Sequence, residues 1–142
     1  MTEKSTLFIN GSWVSPKSGE WITVENPATK AVIGEVAKGG EADVDVAVSA
    51  AKAAFVGWSQ RTATERADYI HALKDLVKRD REKLAALITA EMGKPLKEAR
   101  IEVDFAIGLL RFAAENVLRL QGEIIPGSSP NEKILIDRVP LG

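Results

Sequence analysis

Glu41 to Trp58, EADVDVAVSAAKAAFVGW, is where the pattern of this chain turns from strand to helix. Val44, Ala47, Val48, Ala51, Ala54, Phe55 and Trp58 recur at spacings of three and four, which gathers them on one side of a helix, with Glu41, Asp43 and Asp45 near its positive N-terminal end. The spacing predicts a helix with one buried face. Working downstream, Thr62-Ala63-Thr64-Glu65 fits a capping box ahead of a stripe of Ile70, Leu73, Leu76 and Val77. Asp80 is placed to cap a third helix carrying Leu84, Leu87 and Ile88, which Gly93 can end in a left-handed conformation. Pro95 suits the first turn of a fourth and longest helix, with Leu96, Ala99, Val103, Ala106, Ile107, Leu110, Ala113 and Val117 on its apolar side and a stop near Gly122.

On either side of this block of about four helices the chain reads as strand. Thr6 to Val14 predicts two short strands around Asn10-Gly11, residues that tolerate the positive φ of a two-residue hairpin turn. Trp21 to Val24 and Ala31 to Val36 form a second extended pair across Asn26-Pro27-Ala28-Thr29, where Pro27 disfavours helix at Asn26. Beyond Gly122, Pro126 to Asn131 is a loop and Lys133 to Val139 a strand. No neighbour for that strand is legible, so it is expected to pair with other protein, either a further part of the polypeptide or a second copy. The stop at Pro140-Leu141-Gly142, directly after an apolar-rich segment, reads as a cut. The fold class is α/β: strands, then the helical block, then a final strand.

Composition narrows the function classes. A length of 142 residues suits one domain or part of one. Nineteen Lys and Arg against twenty Asp and Glu leave a net charge of -1, too little positive charge to favour nucleic acid or an anionic membrane. With no Cys, the chain has no disulfide, thiolate metal site or cysteine nucleophile. No signal-peptide pattern and no apolar run of membrane-spanning length is present. Gly93-Lys94-Pro95 lacks the run of backbone amides that cradles a phosphate. His71 reads as a helix-surface imidazole, Asp80 to Lys83 as a solvated turn, and Glu98 and Glu102 as an outer helix face on which Lys94 offsets Glu98 four residues on. No complete active site is visible.

Several sequence words occur in a telling order: Phe8-Ile9-Asn10-Gly11-Ser12-Trp13, Val24-Glu25-Asn26-Pro27-Ala28-Thr29, Ala50 to Phe55 with Trp58, Glu65-Arg66-Ala67, Glu91-Met92-Gly93-Lys94-Pro95, Gly122-Glu123-Ile124-Ile125-Pro126 and Val139-Pro140-Leu141-Gly142. In this order the chain resembles the N-terminal segment of the NAD(P)-dependent aldehyde dehydrogenases. The resemblance implies that residues 1–122 are the N-terminal part of a Rossmann-like nucleotide-binding domain, that 123–142 are a loop and strand of an oligomerisation or bridging domain, and that the catalytic domain is absent from this segment. It further implies a cytoplasmic homodimer or homotetramer that oxidises a small aldehyde with NAD or NADP. The cysteine, asparagine and glutamate of that chemistry lie further along the family's chain, so this segment is expected to hold no catalytic and no cofactor-binding residue and to be inactive alone.

In some members a structural monovalent cation is held beside the Asn-Pro turn, and the matching positions here are Val24, Glu25 and Glu91, with an uncomplexed turn as the other reading. Lys30 and Ile101 stand where many members have Gly. The stretch from Gly122 to Ile134 looks most like the lactaldehyde and glycolaldehyde dehydrogenases, then the succinate-semialdehyde dehydrogenases. The rival reading from another class is a non-catalytic helical interaction module or a family remnant, for which the amphipathic stripes suffice.

Overall fold

Asn10 and Gly11 both take positive φ, 52° and 76°, as a tight hairpin turn between two strands demands. In the computed structural model, which describes residues 3–141, they join β2 (Leu7–Ile9) to β3 (Ser12–Val14) in antiparallel register. Phe8 and Trp13 stand directly opposite one another, their ring centroids 5.0 Å apart. The second expected pair also forms, as β4 (Trp21–Glu25) and β5 (Val32–Ala37), antiparallel. A strand that no sequence pattern announced, β1 (Glu3–Ser5), adds in parallel to the other edge of β5, giving the order β1-β5-β4. Lys4 fastens this edge, pairing with Glu35 at 3.0 Å and lying over the Trp21 ring.

The turn between β4 and β5 is organised by Asn26. Its side-chain oxygen accepts the N–H groups of Ala28 and Thr29 at 2.9 and 3.3 Å, and its backbone carbonyl accepts that of Lys30 at 2.8 Å. Lys30 is thereby held at φ 63°, the left-handed region. This explains why glycine suits the position: a Cβ there costs about 1–2 kcal/mol, against about 0.5–1 kcal/mol for the extra chain entropy of Gly. Lys30→Gly is expected to stabilise the protein by roughly 0.5–1 kcal/mol in urea unfolding, and a lowered midpoint would contradict that strain.

The helical block forms as α1 (Glu41–Ser59), α2 (Ala63–Arg79), α3 (Arg81–Met92) and α4 (Leu96–Asn116). The capping box is present at α2: Glu65 N–H donates to Thr62 Oγ1 at 3.2 Å and Thr62 N–H to Glu65 Oε2 at 2.8 Å. Gly93, at φ 75°, closes α3 by donating to Thr89 O. α4 runs short of the expected stop near Gly122, giving way to a 3-10 turn at Val117–Arg119, and Pro95 caps it from outside instead of entering its first turn. Asp80 does stand before α3, yet its carboxylate turns to Arg79 and caps nothing.

α4 is the centre of the packing, with α2 and α3 against it. Ala85, Ala99 and Val103 are buried there, flanked by Val77, Leu84, Ile88 and Ile107. Alanines at a crossing let two helix axes approach closely, so the core is narrow and leaves many larger side chains outside it. The expected inward stripe of α2 is corrected: Ala67, Ile70, His71, Lys74 and Val77 turn inward, while Leu73 and Leu76 are exposed. The buried face expected of α1 is only half realised. Ala47, Phe55 and Trp58 are partly covered, but Val44, Val48, Ala51 and Ala54 are exposed, because the packing on this helix is sparse, with β2 on one side and the Tyr69 ring of α2 against Trp58.

The final strand is corrected as well. It is β7 (Lys133–Ile136), shorter than expected, and it finds an antiparallel partner within the chain in β6 (Glu123–Pro126). The sequence reading missed β6 because Ile124-Ile125 is too short a run to show a period. Both strands remain exposed along their whole length. The architecture is thus α/β, strands followed by four helices and a closing hairpin.

Candidate functional site

A cleft of about 440 Å³ opens between the β1-β5-β4 sheet and α3. Val24 from β4 and Glu91 from the end of α3 both line it, together with Ile33, Glu35, Lys83 and Leu87, whereas Glu25 stands outside its lining. The strand register explains the split. Val24 faces Gly34 but Glu25 faces Val32, so the pairing shifts between them and Ile33 becomes the extra residue of a bulge.

Gly93 brings the Asn-Pro turn onto the end of α3. A Cβ on Gly93 would sit 3.1 Å from Pro27 Cγ, so a side chain there would make the proline give by a few tenths of an ångström, and glycine lets the turn approach without that shift. The two sequence words Asn-Pro-Ala-Thr and Gly-Lys-Pro, more than sixty residues apart, therefore meet at one side of the cleft. A monovalent cation held by backbone carbonyls and one carboxylate needs such a meeting of turn and helix end. Among the described residues no group of three His, Cys, Asp or Glu has the arrangement of a metal site. The Gly93 N–H is engaged by Thr89 O, so it is not free to cradle a dinucleotide phosphate.

Ion pairs fasten α3 to α4. Arg81 grips Asp104 with both arms, Nε and Nη2 each 2.6 Å from a carboxylate oxygen, and Glu82 accepts from Arg100 at 2.9–3.0 Å. The Arg81 fork holds the Asp104 carboxyl below the usual range, and Arg100, then Arg81, do so for Glu82. Residues 80–83 are accordingly no mere solvated turn: the first two residues of α3 clamp the neighbouring helix. Lys94 was expected to offset Glu98, but it pairs with Glu102, two helical turns into α4. Sequence spacing could not decide this, because Lys94 lies before the helix begins and is not bound to its i,i+4 geometry. His71 is half-buried on the inward side of α2.

Asp43 is the polar residue whose role the sequence showed only in part. It is 5% exposed and accepts N–H groups from Gly40 at 3.0 Å and from Lys17 at 3.1 Å, tying the strand region to the start of α1. Those two amides, Gly40 first, hold its carboxyl below the usual range. An acidic residue in the first turn of a helix was the available signal, and the partner twenty-six positions away was not.

Comparison with known proteins gives one answer for this arrangement. The profile of the aldehyde dehydrogenase family matches residues 13–142. The chain is 38% identical to a glutarate-semialdehyde dehydrogenase of Pseudomonas aeruginosa over 98% of its own length and 29% of that protein's. It is equally similar, 38% over 98% of its length and 29% of the relative's, to a 3-sulfolactaldehyde dehydrogenase of Pseudomonas putida. The crystal structure of succinate-semialdehyde dehydrogenase from Burkholderia pseudomallei superposes with a TM-score of 0.89 at 36% identity, over 92% of this chain and 27% of that one. The chain thus spans under a third of the length of the relatives it matches.

Proposed function

This chain belongs to the aldehyde dehydrogenase family, and on that premise we propose that it is the N-terminal part of an enzyme that oxidises an aldehyde to a carboxylic acid with NAD or NADP. The match over residues 13–142, in sequence and in backbone path alike, carries the reading. Residues 1–122 belong to the nucleotide-binding domain and 123–142 to a bridging or oligomerisation domain, in keeping with a hairpin that is exposed on both strands. The whole protein is a cytoplasmic homodimer or homotetramer. No described helix is long and apolar enough to cross a membrane. Val24 and Glu91, with Glu25 beside them, hold a monovalent cation that braces the Asn-Pro turn against α3, a reading supported by the shared cleft and by the Pro27–Gly93 contact.

The substrate is a short aldehyde with a second polar group. The sequence from Gly122 to Ile134 favours lactaldehyde or glycolaldehyde, and the similarity to a 3-sulfolactaldehyde dehydrogenase agrees with a hydroxyaldehyde. Succinate semialdehyde is the second reading, favoured by the glutarate- and succinate-semialdehyde dehydrogenases among the similar proteins. Measured on the protein that carries the catalytic domain, kcat/KM for the three aldehydes decides. A preference of about a hundredfold for succinate semialdehyde, roughly 2.7 kcal/mol of transition-state discrimination, would reverse the order.

The chain has no cysteine to attack a carbonyl. Residues 1–142 by themselves are therefore expected to give no NAD(P)-dependent aldehyde oxidation, and turnover by that polypeptide, free of any complementing piece, would overturn the assignment of its chemistry to residues beyond it. The rival, a non-catalytic interaction module, is favoured by one observation: Ile101, Phe105, Leu109 and Phe112 form an exposed apolar stripe along α4. Reading the gene past codon 142 separates the two, since continuation into a cysteine-bearing catalytic domain supports the enzyme.

A further inference from the structure

We propose that the cleft between α2 and α4 binds a small anion carrying several phosphate groups. The cleft encloses about 410 Å³ and is lined by Lys74 and Lys78 of α2, Arg81 of α3, and Asp104, Ile107 and Arg111 of α4. Three helices thus deliver four cations to one concavity. It shares no lining residue with the cleft that holds Val24 and Glu91.

Two features argue for a ligand. The first is the choice of residue turned inward on α2. Lys74 has a side chain only 21% exposed, while its apolar neighbours Leu73 and Leu76 are 46% and 49% exposed. Its stem lies along the cleft wall, and its ammonium meets the exposed Asp75 carboxylate, which takes one of the three N–H donors and leaves the others for a ligand. The second feature is how little negative charge the cleft supplies. Its one carboxylate, Asp104, is taken up by both arms of Arg81.

The surrounding charges leave donors to spare. Lys74 is met by Asp75 at 2.9 Å, on the solvent side of α2, and Arg111 only by Glu115, at 3.9 Å and beyond hydrogen-bond reach. Glu82 serves Arg81 and Arg100, and His71 lies one turn from Lys74 on the inward side of α2. Lys78 has no ion pair among the described residues. Ammonium and guanidinium groups converging from facing helices match the tetrahedral, multiply charged oxygens of linked phosphates better than a single planar carboxylate. The volume limits the ligand to a short phosphate chain, and a net charge of -1 for the whole protein opposes a long polyanion such as nucleic acid.

Calorimetric titration of tripolyphosphate into the 142-residue chain tests the proposal, with far-UV circular dichroism confirming that each variant keeps its helices. A saturable site with a Kd of roughly 10–100 μM at low salt is expected, weakening about tenfold near physiological ionic strength. Lys78→Gln and Arg111→Gln, both at exposed positions, should each weaken it by about tenfold, and Lys52→Gln on α1 should leave it unchanged. ATP should bind within about threefold of tripolyphosphate, since the phosphate chain supplies the contacts. Absence of saturation below about 5 mM, an equal loss in Lys52→Gln, or binding of ATP without tripolyphosphate would each overturn the site.

Discussion

Ala99→Leu is expected to lower stability by about 3 kcal/mol, at the upper end of what overpacking costs, and to separate α3 from α4. Ala99 and Ala85 are both 0% exposed, and together with Val103 they form the contact where these two helices cross. No void beside them can take three further carbons, because small side chains at a crossing bring the backbones themselves together. The added isopropyl group must push the helices apart, which also lengthens the Arg81–Asp104 and Glu82–Arg100 contacts across the same crossing. Urea unfolding monitored by circular dichroism gives the loss, and amide exchange gives its location. Protection should fall first along α3 and in the facing turns of α4. A loss below about 1 kcal/mol, of the size seen for well-tolerated apolar exchanges, would mean that the crossing is looser than its burial indicates.

Gly93→Ala should cost about 2 kcal/mol, from two sources that a second variant separates. The residue sits at φ 75°, where any L side chain is strained, and its Cβ would press on Pro27 Cγ at 3.1 Å. Gly93→Asn meets the same proline but tolerates the left-handed conformation, so it should lose only about half as much. Equal losses in the two variants would remove backbone strain from the explanation and leave the Pro27 contact alone. Because the Asn-Pro turn rests on Gly93 beside the cleft lined by Val24 and Glu91, both variants should also weaken any monovalent-cation stabilisation. This is read as the difference in melting temperature between potassium and a bulky organic cation.

The elements that were legible in the sequence are those whose chemistry closes within a few residues. The Asn10-Gly11 turn, the Thr62–Glu65 capping box and the Gly93 stop each satisfy backbone groups three or four positions away, and all three form as read. Order along the chain was equally legible, since the family's words are recognised by their residues and succession. Lys30 shows the boundary: its departure from glycine was visible, but the reason, a left-handed turn imposed by Asn26, required the fold.

Tertiary structure alone decided which face of a helix is covered and which charges meet. Periodicity says that Leu73 and Leu76 share a stripe, yet α4 approaches α2 along Ala67, Ile70, Lys74 and Val77, because close packing at the helix crossing selects a line the sequence does not mark. Arg81 reaches Asp104 across twenty-three positions, Asp43 reaches the Lys17 amide across twenty-six, and β1 joins β5 at a separation of about thirty. None of these partners has a local signature, since each depends on where two separately formed elements come to rest. The same holds for the phosphate cleft: Lys74, Lys78, Arg81 and Arg111 are ordinary helix-surface residues in the sequence, and only the packing of α2, α3 and α4 gathers their charges into one concavity.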